Sequence, residues 1–471
     1  MQTQCSSTQL CFQELGSRKV IADFEGGTIT SDAGALLLRQ VDLAKGYLQD
    51  FAACFRDERD PRYTEHSVTQ LIRQRVLGLC LGYEDLNDHD RLRHDPLFAT
   101  ACGVVDPTGN GRKHARDQGK PLAGKSTLNR LETTPPGTIR PRAKKIIYDP
   151  KAIESYFVQK FLQSRRSAPR QLILDLDCTD TILHGHQQGR FFHGYYDCYC
   201  YLPLYVFCGN DLLVACLRPS NIDPSEGALE EIQRLVQQIR AKWPRVLILI
   251  RGDSGFCREA IMSWCEAQGV DYLFGLARNS RLHRRIAKEL GQAREAFQQT
   301  RQPQRVYKDF RYRTRHSWSR SRRVIGKAEY LAKGENPRFV VTSLPSESLG
   351  AQALYEKLYC ARGEMENRIK EQQLYLFASR TSSATMRANQ LRLWFSALAY
   401  LILNELRKVG LRGTQLARAQ CDTLRLKLLK IGAQVRVSVR RVYVRLASGY
   451  PYQEAFRQIL VNLQRLYPVQ C

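Results

Sequence analysis

Hydrophobic and polar residues alternate in the run QLILDLDCTD, which reads as a buried strand that ends in carboxylates. Its three leucines fall on one side of an extended strand, and Asp175 and Asp177 fall on the other. An ionised group inside a strand is costly unless it is paired or binds a metal. Carboxylate oxygens suit hard cations such as Mg²⁺. The pattern therefore predicts a metal site, or alternatively a capped or salt-bridged strand end.

A second apolar run shows the same arrangement. The segment Val246–Ile250 (VLILI) is continuously hydrophobic, as expected of a strand that is covered on both faces, and it leads into a glycine-rich turn that contains Asp253. In open α/β sheets such strand ends line the functional crevice. Asp253 could share metal ions with the first strand's acids, or it could be a turn residue without a ligand.

The third element is helical. Residues 354–377 contain good helix formers and no proline. Polar side chains recur there at spacings of three and four residues, so they share one face: Tyr359, Arg362, Glu366, Lys370 and Gln373. Such a face is not a core stripe; the alternative to a functional role is a solvated charged surface.

The order and spacing of these motifs resemble bacterial insertion-sequence transposases of the DDE type, and most of all the insertion sequence 1380 family. The runs LDLDCTDTILHGHQQG, GYYDCYCYLPLYVF, RGDSGF and ARGEMENRIKE carry the resemblance, together with GYEDLNDHDRLRHDPLF and LAGKSTLNRLE nearer the N-terminus. It extends from about residue 22 to about residue 407. Each motif alone is weak, but their order and spacing are specific.

The resemblance implies a ribonuclease-H-like core whose three acids hold two Mg²⁺ or Mn²⁺ ions. Carried over by position, the catalytic acids are Asp177, Asp253 and Glu366. Asp175 is the rival of Asp177 for the first position and a further candidate metal ligand.

The same resemblance assigns DNA contacts to the helix. Tyr359 and Arg362 stand in the Tyr-x2-Arg-x3-Glu signature that ends at the third acid. Gln373 stands where the family has a lysine, and Lys370, one turn earlier, is the candidate for that phosphate-binding role. Arginine is suited to bidentate contact with phosphate oxygens.

The implied chemistry is in-line displacement at phosphorus, for which a protein mainly supplies positioning and charge. Two metal ions can activate the attacking oxygen and stabilise the leaving oxygen. Water attacks first and exposes a 3′-hydroxyl, which then attacks a second phosphodiester.

Charge adds support for a nucleic-acid partner. The 471 residues include 72 Lys and Arg against 46 Asp and Glu, which gives a formal net charge of +26. No apolar run reaches the roughly 18 residues of a membrane span, and the polar N-terminus lacks a signal core. The fifteen cysteines are scattered and lack zinc-site spacing, so we expect a reducing cytoplasm, with nucleoid association on DNA. His184 and His186 fit a hydrogen-bonding or DNA-contacting loop better than a metal site.

The predicted fold class is α/β, with a ribonuclease-H-like mixed sheet, a β-rich insertion and helical flanking regions. The predicted organisation is a flexible tail (1–20), a mostly helical DNA-binding region (21–150), a catalytic core (165–280 and 350–405), a β-rich insertion (281–349) and a basic C-terminal region (406–471). The N-terminal region could read terminal inverted repeats through a helix-turn-helix-like unit, or it could be a structural cap.

Periodicity predicts the individual elements. Strands are expected at 171–177, 190–200, 201–208, 211–217, 246–250 and 271–276, and in the insertion at 304–312, 322–331 and 338–344. Helices are expected from Ser31, at 67–81, after a Ser126 cap, at 225–242 and 258–268, and from about 385. Residues 104–125 have no apolar period and predict an exposed loop.

Two basic segments lie outside the core motifs. Residues 301–327 hold ten Lys and Arg against one acid, with aromatics interleaved. This predicts DNA contacts by Trp318, Arg320, Arg322 and Arg323; for Trp318 an ordinary packing role is the alternative. The alternating run VRVSVRRVYVRL predicts a basic edge strand or hairpin along the DNA backbone, or a solvated basic surface.

Together these features predict a metal-dependent, cut-and-paste DDE transposase that acts on double-stranded DNA, at terminal inverted repeats and at target sites. A homodimer or larger assembly is expected on paired ends. The alternatives are a hydrolytic nuclease without strand transfer, and a DNA-binding protein of the same fold without catalysis.

Overall fold

The computed structural model describes residues 9–133 and 145–466. Its strands are β1 (Leu10–Leu15), β2 (Arg18–Ala22), β3 (Ile29–Thr30), β4 (Phe55–Asp57), β5 (Ile146–Tyr148), β6 (Gln171–Cys178), β7 (Thr181–Ile182), β8 (Phe191–His193), β9 (Cys198–Tyr201), β10 (Leu204–Cys208), β11 (Asp211–Cys216), β12 (Leu247–Gly252), β13 (Asp271–Leu276), β14 (Gln304–Tyr312), β15 (Arg322–Leu331), β16 (Gly334–Glu335), β17 (Arg338–Thr342), β18 (Ala433–Val437) and β19 (Val442–Leu446).

The α-helices are α1 (Ala35–Lys45), α2 (Tyr47–Ala52), α3 (Val68–Leu81), α4 (His89–Leu92), α5 (Pro96–Ala101), α6 (Lys125–Glu132), α7 (Pro150–Gln163), α8 (Ala228–Lys242), α9 (Glu259–Ala267), α10 (Ser280–Arg285), α11 (Ala287–Thr300), α12 (Ala351–Ala353), α13 (Gly363–Lys370), α14 (Met386–Glu405), α15 (Cys421–Leu424) and α16 (Gln453–Leu466). From α12 through α13 the chain stays helical over 351–375, with wide turns at Leu354–Tyr359 and Glu371–Tyr375. We call this segment the signature helix. None of the helices in the described ranges is both long and apolar enough to cross a bilayer.

The chain divides into two compact units. Within the described residues, the first unit comprises 9–52, 59–131 and 405–466, and the second comprises 53–58 and 132–404. The N-terminal and C-terminal parts of the sequence therefore share one unit, although we expected separate regions.

A nine-stranded mixed sheet forms the centre of the second unit. Its strand order is β11-β10-β6-β12-β13-β17-β15-β14, with β16 paired to β15. β6, β12 and β13 are parallel neighbours, while the β10–β11 hairpin joins β6 antiparallel. The ends of β6 and β12 that carry the candidate acids consequently meet at one edge.

Strand alternation separates two packed faces. On one face, the leucines of β6 and alternate residues of β12 pack with apolar side chains of α7, α8 and α9. On the other face, Leu249, Leu273 and Val340 pack against Leu354 and Tyr355 of the signature helix. The predicted buried strands and the predicted helix are confirmed, and the packing lays that helix against the acid-bearing face.

The segment 281–349 extends this sheet. β17 pairs with β13, and β15 and β14 follow in order, so the three predicted strands continue the central sheet without a break. The segment also contains α10 and α11, which the sequence analysis missed. Only Leu282, Leu290 and Ala293 of these two helices are buried, so their apolar period is weak.

Two predicted strand boundaries were wrong. The expected strand 190–200 is split into β8 and β9 by a turn in which Asp197 has a φ of +53°. Pro203 separates β9 from β10, because proline lacks the N–H that a ladder position would use.

In the first unit, α3 begins where the sequence indicated. Ser67 caps it, with reciprocal hydrogen bonds of 3.2 and 3.1 Å between Ser67 and Gln70. The expected start of α1 at Ser31 is too early: α1 begins at Ala35. α6 likewise begins at Lys125, so Ser126 lies inside the first turn and is not the cap.

The ends of the sequence contain β-hairpins. The segment predicted as a flexible tail forms the exposed β1–β2 hairpin from Leu10 onward, and residues 1–8 lie outside the described ranges. The basic run near the C-terminus forms the predicted hairpin, β18–β19, with β3 as third strand.

Candidate active site

The acid-bearing face of the central sheet is assembled from two parallel strands in register. Asp175 on β6 is the pairing partner of Arg251 on β12. Asp177 and Asp253 each lie two residues further along, so strand alternation carries all four side chains to the same face. This is the face that the signature helix covers.

Asp175 forms a closed ion pair. Both of its oxygens accept hydrogen bonds from Arg251, from Nε at 2.5 Å and from Nη2 at 2.8 Å. Burial raises the pKa of Asp175, and the bonds to Arg251 oppose that rise. Arg251 also donates through Nη1 to the carbonyl of Leu358 on the signature helix. The pair therefore ties two strands to one helix, with both carboxylate oxygens satisfied inside the protein.

The two oxygens of Asp177 accept hydrogen bonds from two different groups instead of from one arginine. Its Oδ1 accepts from the backbone N–H of Cys178 at 3.0 Å, and its Oδ2 accepts from Arg362 Nη1 at 3.0 Å. Burial raises the pKa of Asp177 to about 6; Arg362 lowers it, and the negative charges of Asp253 and Glu366 raise it further. Asp177 therefore lies close enough to the other two predicted catalytic acids for their charges to act on it.

Arg362 bridges two of these acids. Its Nη2 donates to Glu366 Oε1 at 3.0 Å, one helical turn along the signature helix, while its Nη1 reaches Asp177. The carboxyl side chain of Glu366 is 48% exposed, against 15% for Asp177. The cluster is thus open to solvent on the helix side.

Asp253 starts a single helical turn at the end of β12. Its Oδ1 accepts from the N–H of Gly255 at 2.8 Å, and its side chain is half-buried. Its charge acts on Asp177, Tyr359 and Arg362. Both Arg251 and Asp253 come from the RGDSGF run, but the structural role of Arg251 was missed. No sequence signal could have found it, because the pairing of Arg251 with Asp175 depends on the register of two strands that are far apart along the chain.

Tyr359 approaches the central sheet closely at Gly275 on β13, a residue without a side chain. A Cβ at Gly275 on β13 would lie 2.6 Å from the Tyr359 hydroxyl and 3.2 Å from the carbonyl carbon of Asp253. The absence of a side chain at Gly275 therefore allows Tyr359 to lie beside Asp253. Sequence reasoning gave no weight to this glycine.

The two remaining polar residues of the signature-helix face, Lys370 and Gln373, have different surroundings. Lys370 is exposed. Gln373, which stands where the family has a lysine, donates to the carbonyl of Asp180 at 3.0 Å. Of these two, Lys370 is the one whose side chain is open to a phosphate.

One further group near the acids escaped the sequence analysis. Tyr196, in the turn between β8 and β9, is half-buried and interacts electrostatically with Asp177 and Asp180. Burial is the main cause of its raised pKa. It belongs to the GYYDCYCYLPLYVF run, which carried the resemblance but received no residue role.

Several predicted DNA contacts in 301–327 are placed inside the protein. Trp318 is 5% exposed, packs edge-on against Tyr312 at 5.8 Å and lies under Arg322 at 5.5 Å. The structure therefore gives Trp318 a packing role instead of the predicted stacking on a DNA base. Arg322 is also buried, bound by Glu259 and Glu266, so it is saturated by acids.

Arg323 is likewise a structural residue. It binds Asp309 at 2.7 Å and the carbonyls of Leu344, Pro345 and Leu349. Only Arg320 remains on the surface, with its side chain 66% exposed and 3.5 Å from Glu266. Composition alone could not separate these cases, because each depends on whether the fold buries the arginine beside an acid from another segment.

The donor chemistry of the acid cluster suits a hard divalent cation, since all three groups are carboxylates and the charges of Asp253 and Glu366 act on Asp177. As arranged here, however, no set of three His, Cys, Asp or Glu side chains within 9–133 and 145–466 is gathered closely enough to hold a metal ion. The guanidinium of Arg362 provides the positive charge between Asp177 and Glu366. His184 and His186 are exposed.

Comparisons with known proteins bear on this site. A family profile described as "Transposase DDE domain group 1" matches residues 12–468. Among solved structures, the chain is similar to a cryo-electron microscopy structure of a piggyBac transposase synaptic complex with hairpin DNA, at 10% identity and a TM-score of 0.42, covering 94% of this chain and 86% of that chain. Among curated proteins no match is found. Because the profile spans nearly the whole chain, the protein belongs to the transposase DDE domain group 1 family.

Proposed function

We propose that this protein is a cut-and-paste transposase that cleaves DNA at the ends of its element and joins the freed 3′-hydroxyl to target DNA. Family membership supports transposase function in general. The observation that carries the specific proposal is that the negative charges of Asp253 and Glu366 act on Asp177, while one arginine, Arg362, pairs with both Asp177 and Glu366. An acid cluster with too little positive charge is unstable alone and is suited to bind cations.

In this proposal Asp177, Asp253 and Glu366 are the catalytic acids. The family generally uses divalent metal ions, and these three carboxylates are the groups that would hold them, with Mg²⁺ or Mn²⁺ as a pair. When bound, such ions would lower the pKa of an attacking water and balance charge on the leaving oxygen. Asp177 is favoured over Asp175 as the first acid because Arg251 already occupies both oxygens of Asp175.

Arg362 has two proposed roles. Without an ion it neutralises part of the acid cluster and fixes the signature helix against β6. With phosphate present, its planar guanidinium can bind two phosphate oxygens. Tyr359 and Lys370 lie on the same helix face, and we propose that they also contact the DNA backbone.

The strand order supports a ribonuclease-H-like core as part of the proposal. The β10–β11 hairpin lies on one side of β6 in the sheet, and the parallel strands β12 and β13 lie on its other side. The motifs RGDSGF and ARGEMENRIKE carry the proposal that, within the group, this chain is of the bacterial insertion sequence 1380 kind.

Double-stranded DNA is the proposed partner, both as element ends and as target. The net charge of +26 supports this. We propose that residues 21–150 and the β18–β19 hairpin contribute end binding, and that two or more copies act on paired ends in the cytoplasm.

The test is a strand-transfer assay with end-derived duplex, a plasmid target and Mg²⁺. Asp177→Asn, Asp253→Asn and Glu366→Gln should each abolish cleavage and joining while retaining DNA binding. Glu364→Gln is the matched control, because it removes an exposed acid from the same helix. Cleavage that persists in all three variants would remove these residues from the site.

One observation favours a second candidate, a DNA-binding protein without catalysis. Arg362 already balances two of the three acids, so the cluster could be a structural relic. In the same assay, that protein would bind end duplex and produce neither cleavage nor joining. A hydrolytic nuclease would cut without joining.

A further inference from the structure

A strongly basic cavity lies in the first unit, built entirely from residues 62–130. It has a volume of about 490 Å³. Seven Lys and Arg and only three acids line it. Its wall comes from the segment before α3, from α4 and the residue that follows it, from the loop 104–124 and from the first two turns of α6.

Arg112 is fixed in the wall by neighbours on several sides. Its Nη1 lies 3.0 Å from His66 Nε2 and donates to the carbonyl of Lys120 at 3.1 Å, while its Nη2 binds Glu65. Burial, with Arg112 and Arg93 nearby, lowers the pKa of His66 to about 4. His66 is therefore neutral at physiological pH and can accept from Arg112, which holds the guanidinium in a defined orientation.

The floor is equally ordered. Arg93 lies over Gly124, where a Cβ would come 2.8 Å from Nη1. The carboxylate of Asp90 accepts from the backbone N–H of Lys125 at 3.0 Å and pairs with its ammonium at 3.3 Å. The first turn of α6 thus faces the cavity with its N-terminal end oriented by a side chain.

The acids in the wall are already engaged. Glu65 is bound to Arg112, Asp90 to Lys125, and Asp117 to Arg93 and Arg116. Lys113 and Arg130 are exposed lining residues for which the described part of the chain supplies no acidic partner. The cavity therefore carries an excess of positive charge that no group in the described ranges neutralises.

The lining also indicates what kind of anion fits. Small-molecule pockets are mostly apolar, with a few polar groups. Here the lining is almost wholly charged or polar, and its one aromatic ring apart from histidine, Tyr63, is 82% exposed. Such a surface offers phosphate contacts without an apolar slot for a base, which is the chemistry of backbone positioning.

We propose that this cavity binds backbone phosphates of duplex DNA and so anchors the first unit on the element's DNA. The proposal rests on the proposed function for the choice of DNA as polyanion. It assigns Lys113 and Arg130 as phosphate contacts, and Arg112 as a guanidinium held in position by His66. Recognition is independent of base sequence.

The test is fluorescence anisotropy of the full-length protein with two labelled duplexes of unrelated sequence, across a salt series without divalent ions. The double variant Lys113→Gln, Arg130→Gln should lower affinity for both duplexes by the same factor. It should also reduce the slope of log K against log salt by about 2, since each lost phosphate contact removes about 1. The matched control Arg457→Gln, Arg465→Gln removes two exposed charges from α16 and should keep the wild-type slope.

Each possible result either supports or overturns the proposal that the cavity binds DNA phosphates. An unchanged slope in the pocket variant overturns the proposal, and so does loss of binding to one duplex only. If inorganic phosphate binds the wild type but not the variant while the DNA slope is unchanged, the cavity is a free-anion site and the DNA proposal is wrong. Thermal melts confirm folding, and the single Lys113→Gln variant should show a slope change of about 1 should the double variant not fold.

The experiment also separates this proposal from the proposed function. Asp177→Asn should keep the wild-type salt slope while losing cleavage. If the pocket variant keeps full DNA affinity while Asp177→Asn loses cleavage, only the pocket assignment fails. If the pocket variant loses affinity while Asp177→Asn still cleaves, only the catalytic assignment fails.

Discussion

Asp175 and Asp177 lie two residues apart on the same face of β6, and each is bound by an arginine. Asp175 is 5% exposed and shares both oxygens with Arg251, one acid to one base. Asp177 shares Arg362 with Glu366 and also meets the charge of Asp253, three acids to one base. The difference teaches that two buried carboxylates on one strand can differ in charge balance, and under the proposed function this balance separates the structural acid from the catalytic one.

The largest expected contrast is in activity. Under the proposed function, Asp177→Asn should reduce strand transfer by at least about 10³-fold, because losing one of the carboxylates proposed to bind the ions would remove several kcal/mol of transition-state stabilisation. The variant should fold and bind DNA. A strand-transfer rate within tenfold of wild type would break the comparison, since Asp177 would then be as structural as Asp175.

The second contrast is in stability. Asp175→Asn should lower the free energy of unfolding by about 3–5 kcal/mol, because Arg251 is left as a buried charge without its partner. Urea titration followed by circular dichroism measures the loss. Replacing both partners, as Asp175→Leu with Arg251→Met, should recover most of it. A single variant as stable as wild type would contradict the structural role.

The third contrast is in pH dependence. The pKa of Asp177 is about 6 in the folded protein, above its ordinary value of 3.8. The folded state holds this proton more tightly than the unfolded chain, so the stabilisation is full below about pH 4 and is lost as pH rises through about 6. Relative to Asp177→Asn, wild type should lose about 3 kcal/mol between these limits. Parallel stability curves for the two proteins would contradict this pKa.

A smaller effect is expected at Gly275, where Tyr359 of the signature helix approaches the central sheet. Gly275→Ala would place a Cβ 2.6 Å from the Tyr359 hydroxyl and 2.8 Å from the backbone nitrogen of Ser254. We expect a loss of about 1–3 kcal/mol from overpacking, with reduced strand transfer. The control is Gly291→Ala in α11, where nothing lies within 4 Å and alanine should add up to about 1 kcal/mol. Equal melting temperatures for both variants would show that Tyr359 moves freely.

Much of the central sheet could be predicted, because its strands are either continuous apolar runs, as in β12, or alternate polar and apolar residues, as in β14. The candidate acids could also be identified from the sequence, since each lies at the end of an apolar strand or on the polar face of a predicted helix. The different ion pairing of Asp175 and Asp177 could not be predicted, because it depends on Arg251 from another strand and Arg362 from a distant helix. The same holds for Arg322 and Arg323, whose acids bind them across the fold.

Weakly patterned elements were the other failure. α10 and α11 bury few apolar side chains, and the β1–β2 hairpin buries none of its residues, so neither shows a period that sequence analysis can detect. The basic cavity of the first unit was also hidden. Its residues are spread over 62–130, in loops and in two short α-helices, and only the folded chain brings them together.

The central claim is that Asp177, Asp253 and Glu366 together bind the divalent cations and that Asp175 does not. Calorimetric titration of Mn²⁺ into the wild type and into Asp177→Asn, Asp253→Asn, Glu366→Gln and Glu364→Gln tests it directly. We expect each of the first three variants to lose the same binding event and Glu364→Gln to keep it. Mn²⁺ binding that is unaffected by all three substitutions would contradict the account.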